Sequence, residues 1–158
     1  MMILGIDPGI SGALAFLSQG GKVAYLFDMP IMQTGGANAK AKNVVNGAAL
    51  AKIFRAQPIR RCLLERISTM PGQGVATQGS MMRGFGTIDG VLQAIGISYE
   101  LVSPVSWKKH FGLKGGPENK EVSRTLAQRW YPEADLSLKK HHNRAEAILI
   151  ARWGMAKR

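Results

Sequence analysis

Three acidic residues sit where a protein interior has no use for an isolated charge. Asp7 ends the apolar run Met2-Ile3-Leu4-Gly5-Ile6. Glu65 follows Cys62-Leu63-Leu64, and Glu146 lies inside Ala145-Glu146-Ala147-Ile148-Leu149-Ile150. A buried carboxylate is costly unless a positive charge meets it. Carboxylates from separate elements that meet at one point repel unless a hard cation such as Mg2+ or Mn2+ neutralises them. Two such ions about 3.5–4 Å apart activate a water and stabilise the leaving oxygen in phosphodiester cleavage. Each acid also has a plainer reading. Asp7 could cap the turn at residues 8–12, Glu65 could be a strand-end charge beside Arg66, and Glu146 could pair with Arg144 or His142.

The rest of the chain is basic. Its 158 residues carry 21 Lys+Arg against 10 Asp+Glu, a net charge of +11. That balance favours a polyanionic partner, nucleic acid before membrane, because no separate basic amphipathic helix is present. The length suits one domain, residues 1–158, with one sizeable core. Cys62 is the only cysteine and reads as a buried structural thiol. No apolar stretch approaches about 18 residues, so a membrane span is not expected. Asp7, Pro8 and several glycines break up the N-terminal apolar run, so it is not read as a signal peptide, and the expected location is cytoplasmic.

The pattern that must position the acids reads as α/β. Strands are expected at 2–6, 12–18 and 23–29, the last two joined by the Gln19-Gly20-Gly21-Lys22 turn. A mobile polar loop is expected at 30–42 and a helix at 43–57, ended by Pro58. A buried strand at 61–67 carries Glu65. A helix at 75–95 contains Gly79, Gly84, Gly86 and Gly90, each costing about 1 kcal/mol relative to alanine, which close helix packing would explain. A strand at 98–102 and helices at 105–111, 117–131 and 143–156 complete the chain. The sum is a mixed five-stranded sheet, three antiparallel strands followed by parallel ones, flanked by helices. If strands 2–6 and 61–67 are parallel neighbours, Asp7 and Glu65 emerge at one sheet edge. Asn143 and Glu146 share a face of the last helix at i, i+3.

Taken in order, Gly5-Ile6-Asp7-Pro8-Gly9, Leu64-Glu65-Arg66, Met70-Pro71-Gly72-Gln73-Gly74, Pro104-Val105-Ser106-Trp107-Lys108-Lys109, Lys120-Glu121-Val122-Ser123-Arg124 and Arg144-Ala145-Glu146-Ala147 resemble the RuvC-type Holliday-junction resolvases, particularly their bacteriophage and prophage branch. The resemblance spans nearly the whole chain. It implies an RNase H-like fold, a homodimer, and Mg2+-dependent paired nicking of four-way DNA junctions, with Mn2+ as a substitute and two ions per site. It places the family's metal-binding acids on Asp7, Glu65, Asn143 and Glu146, with Lys114 or Lys120 beside the scissile phosphate.

Asn143 departs from this pattern, because the family has aspartate there. Three explanations stay open: a variant inactivated to trap a complex, a natural variant using His141 or His142 as a substitute ligand, or a junction binder that no longer cuts. The first implies that Asn143→Asp raises cleavage by orders of magnitude. Phosphate contacts are expected from Lys108, Lys109, Lys114, Lys120, Lys139, Lys140, His142 and Arg144. Met70, Gln73 and Gly74 form a loop expected to approach the junction centre. The glycine-bearing helix is the expected dimer contact. Rival functions are a phosphate-binding ATPase or sugar-kinase-type fold, for which 158 residues leave little room, an RNase H-like nuclease acting on other branched DNA or hybrids, and a non-catalytic junction-binding protein.

Overall fold

Alternation along the central strands decides which side chains face which layer. The computed structural model describes residues 1–35, 41–67, 72, 74–114, 116 and 120–157. The main sheet has the order β3-β2-β1-β6-β7, formed by β1 (Met2–Asp7), β2 (Ala13–Ser18), β3 (Val23–Asp28), β6 (Ile59–Glu65) and β7 (Tyr99–Val102). The β1–β2 and β2–β3 pairs are antiparallel, and β1–β6 and β6–β7 are parallel. This is the expected mixed five-stranded sheet.

Helices cover both faces of that sheet. On one side lie α1 (Gly47–Arg55) and α2 (Val75–Ala94), burying Leu50, Phe54, Ile88 and Leu92 against Leu4, Ile6, Leu14, Phe16, Cys62 and Leu64. On the other lie α3 (Pro104–His110), α4 (Lys120–Trp130) and α5 (His142–Ala156), over Ala13, Ala15, Leu17 and Leu63. Side chains alternate along a strand with a period of two. Leu4 and Ile6 point to the α1–α2 face, so Gly5 and Asp7 point to the α5 face. Cys62 and Leu64 likewise leave Leu63 and Glu65 facing α5.

Helix α5 lies across β1 and β2 and carries α4 on its back, so residues 145–151 are all buried. Gly5 makes that approach possible. A Cβ there would overlap the Ala147 carbonyl and the Ala151 backbone nitrogen. Arg61 fastens the far end of α5, donating to the Gly154 and Lys157 carbonyls and pairing with Glu100 at 2.6 Å.

The segment expected to be a loop at 30–42 is instead largely a hairpin, β4 (Ile31–Thr34) paired with β5 (Lys42–Val45); residues 36–40 lie outside the described residues. Residues 43–45, expected in the following helix, belong to that hairpin. The β-branched Val44 and Val45 favour a strand, and Val45 packs into the core beside Gly84. The helix begins only after Asn46, whose side chain accepts the Ala49 N–H at 3.1 Å as an N-cap. Within α2, close helix packing does not account for the glycines: a Cβ at Gly84 would meet the Val45 side chain of β5 at 3.4 Å, an ordinary contact. A Cβ at Gly79, Gly86 or Gly90 would meet nothing within 4 Å. Cys62 is a buried free thiol, and burial pushes its pKa above the usual range.

Candidate metal centre

The parity of β1 and β6 brings Asp7 and Glu65 side by side, since Ile6 pairs with Leu64 in the parallel register. Helix α5 lays Glu146 over them. Carboxylate oxygens of Asp7, Glu65 and Glu146 all lie within 4.8 Å of one another, and all three residues are buried. Among the described residues this is the group of acids, cysteines and histidines placed to hold a metal ion. The capping and surface-pairing readings of these acids do not describe such a convergence. Burial first, then Glu65 and Glu146, raises the Asp7 pKa well above the usual carboxylate range, while Lys108 and Lys120 oppose the rise. Burial also pushes the Glu65 pKa up to about 7. Three mutually repelling carboxyl groups with hard oxygen donors suit Mg2+ or Mn2+, and the donor set fits such an ion.

Helix α3 supplies the supporting contacts. Trp107 is fully buried and its indole N–H donates to Glu65 Oε1 at 2.7 Å. That bond favours the ionised form and partly offsets burial. The neighbouring Lys108 places its ammonium 3.2 Å from Glu146 Oε1. Lys108 thus borders the acidic centre. The sequence alone assigns Trp107 no role, although a buried indole N–H demands a partner, and it stands beside a lysine on a seven-residue helix.

Asn143 lies one turn before Glu146, and its amide nitrogen donates to the Ser11 carbonyl in the turn that follows Asp7. The two neighbouring histidines are engaged elsewhere. Buried His141 turns Nδ1 towards Asp135, 3.5 Å away, and His142 Nδ1 lies 3.1 Å from the Lys139 carbonyl. Neither belongs to the carboxylate group.

Arg144 is held by the fold. Its guanidinium reaches Asp28 at 2.6 Å and Asp135 at 2.7 Å, which lowers both carboxyl pKa values and raises its own. Lys109, Lys114, Lys120, Lys139 and Lys140 are exposed. Gly74 is the N-cap of α2. Met70 and Gln73 lie outside the described residues.

A search of family models matches none of them to this chain. The chain is 29% identical over 128 residues to the chloroplastic Holliday junction resolvase MOC1 of Chlamydomonas reinhardtii. That alignment covers 79% of this chain but only 14% of the longer protein. Among solved structures, T. thermophilus RuvC in complex with a Holliday junction substrate superposes with a TM-score of 0.62 at 15% identity, covering 99% of this chain and 97% of that one. A second Thermus thermophilus RuvC structure gives 0.55 at 15% identity, covering 98% of each chain. The chain therefore has the RNase H-like fold of RuvC.

Proposed function

We propose that the chain is a structure-selective endodeoxyribonuclease that resolves four-way DNA junctions by paired, metal-dependent nicking. One observation carries the reading: three buried carboxylates from β1, β6 and α5 converge on one point in a chain of net charge +11. Likeness to resolvases in fold and in sequence supports the choice of substrate.

Asp7, Glu65 and Glu146 would hold the divalent metal, Mg2+ or Mn2+, with Asn143 one turn before Glu146. The ion supplies charge neutralisation and lowers the pKa of bound water. Trp107 fixes the Glu65 carboxylate. Lys108 and Lys120 supply positive charge close to the position of the scissile phosphate, where negative charge builds as water attacks. The products are 5′-phosphate and 3′-hydroxyl ends.

Exposed Lys109, Lys114, Lys139 and Lys140 bind phosphates and position the DNA without reading sequence. His142 and Arg144 flank that path, and Met70, Gln73 and Gly74 contact the DNA near the junction centre. Two chains meet through the outer face of α2, where exposed Val75 and Met82 alternate with Gly79, Gly86 and Gly90. The two-fold axis then presents two centres to two symmetric strands. No helix among the described residues is long and apolar enough to cross a membrane. The working location is the cytoplasm of a bacterium or phage-infected cell.

Asn143 favours a second reading, a junction-binding protein that does not cut. The test incubates four-way, three-way, flap, hybrid and linear duplex substrates with Mg2+ or Mn2+, for this chain beside Asn143→Asp. Symmetric nicks in the four-way junction support resolution. Tight junction binding with no nicking by either protein supports the binder. Equal cleavage of all substrates overturns both.

A further inference from the structure

The convergence of Asp7, Glu65 and Glu146 accounts for three of the four positions at which the resolvase resemblance expects an acid. The fourth, Asn143, makes a contact that an ionised aspartate cannot make. Its amide N–H donates to the Ser11 carbonyl. An ionised carboxylate has no proton for that bond and would set oxygen against oxygen. Ser11 belongs to the tight turn that carries the chain from Asp7 into β2, closed by the Gly12 N–H on the Gly9 carbonyl at 3.0 Å. Gly9 takes φ +116°, which only glycine adopts easily. Asn143 therefore ties the first turn of α5 to the backbone that sets Asp7.

Lys108 changes the charge of the same centre. Its ammonium lies 3.2 Å from Glu146 and is largely screened from solvent. Three carboxylates and the Lys108 ammonium leave a formal charge of minus two before the exposed Lys120, which also acts on Asp7, is counted, and one divalent ion balances it. A second divalent ion would enter a site without the charge to hold it, and next to a fixed cation.

Resting on the nuclease reading above, we propose that this chain holds one divalent cation per active site, with Asn143 as a positioning residue for the Asp7 turn and Lys108 in place of a second cation. The asparagine is then a working part of the centre. It exchanges a ligand's charge for a hydrogen bond that keeps the site assembled without metal.

The test counts bound Mn2+. Metal-stripped protein is titrated with Mn2+ while the electron paramagnetic resonance signal of the free ion is followed. The wild type takes up one ion per chain. Lys108→Met binds that ion about tenfold more tightly, through loss of the adjacent positive charge. Asn143→Asp combined with Lys108→Met takes up two. Asn143→Ala still takes up one, which separates the cation count from the turn. In a parallel measurement with EDTA, Asn143→Asp and Asn143→Ala both melt below the wild type; Mn2+ raises all three, but closes the gap to the wild type only for Asn143→Asp. Two comparable Mn2+ ions on the wild type, or one on the double variant, would overturn the one-ion centre. An Asn143→Asp protein that melts at or above the wild type in EDTA would overturn the positioning role. No Mn2+ uptake by any variant would overturn the metal-dependent nuclease reading itself, and the one-ion proposal with it.

Discussion

Raising the pH of the cation-free protein from 5 to 8 should make it less stable, and Glu65 sets the scale. Its carboxyl ionises near 4.5 in an unfolded chain and near 7 in the fold, because burial opposes the charge. Between those values the folded state keeps a proton that the unfolded state has lost. The stability associated with Glu65 is therefore fully present below about pH 4.5 and is lost as pH rises through about 7. The interval corresponds to on the order of 3 kcal/mol. Asp7, raised for the same reason and by its two acidic neighbours, acts in the same direction.

For a domain of this size about 1 kcal/mol moves the Tm by roughly 2–4 °C, so Glu65 alone should lower it by roughly 6–12 °C across the range. The assay is thermal unfolding in EDTA at several pH values, repeated with Mg2+. Mg2+ should recover most of the loss at pH 8, since a cation binds the ionised carboxylates and competes with protons. Glu65→Gln keeps an oxygen for Trp107 to donate to, removes the titration, and should flatten the profile. A wild-type Tm that stays level or climbs with pH in EDTA, or a Glu65→Gln profile as steep as the wild type's, would refute the reasoning.

Other perturbations read other parts of the assembly. Gly5→Ala forces α5 off β1 and should cost about 3 kcal/mol or more, and a stable variant should still lose Mn2+ affinity because Glu146 leaves Asp7; calorimetry and metal titration check both. Trp107→Phe removes the indole bond, should reduce cleavage about tenfold, and should move the acidic limb of the pH–rate profile upward, since the lost bond favoured the ionised Glu65. Replacing Lys139 and Lys140 together with alanine should reduce the slope of log affinity against log salt for junction DNA by about 2. Arg144→Ala, whose guanidinium is engaged by Asp28 and Asp135, should leave that slope nearly unchanged and lower the Tm.

The acids were legible because each stands in an apolar run where a charge needs an explanation. Their places at the ends of the first and fourth expected strands put Asp7 and Glu65 at one sheet edge once those strands are parallel neighbours. The five-stranded sheet was legible from short apolar runs bounded by Gly and Pro turns. The β4–β5 hairpin was hidden because the glycine-, lysine- and asparagine-bearing sequence at 35–43 reads as loop, and Val44 and Val45 fit a helical face as well as a strand.

Charge carries no label of its partner, so Arg144 and Lys139 look alike in sequence. Only the packing of α5 beside β3 shows that Arg144 is engaged with Asp28. Nothing local in the sequence reveals that α3 turns Lys108 towards Glu146. Asn143 bonds to a backbone carbonyl, which leaves no signature in the residue types at all.

Incubation of a four-way junction with the purified chain and Mg2+, beside Asp7→Asn, measures the central claim most directly. The account predicts paired nicks at symmetric positions from the wild type and at least about a hundredfold slower nicking from Asp7→Asn, which loses a ligand rather than a supporting contact. Junctions left intact in both Mg2+ and Mn2+, or nicked equally fast by Asp7→Asn, would contradict it.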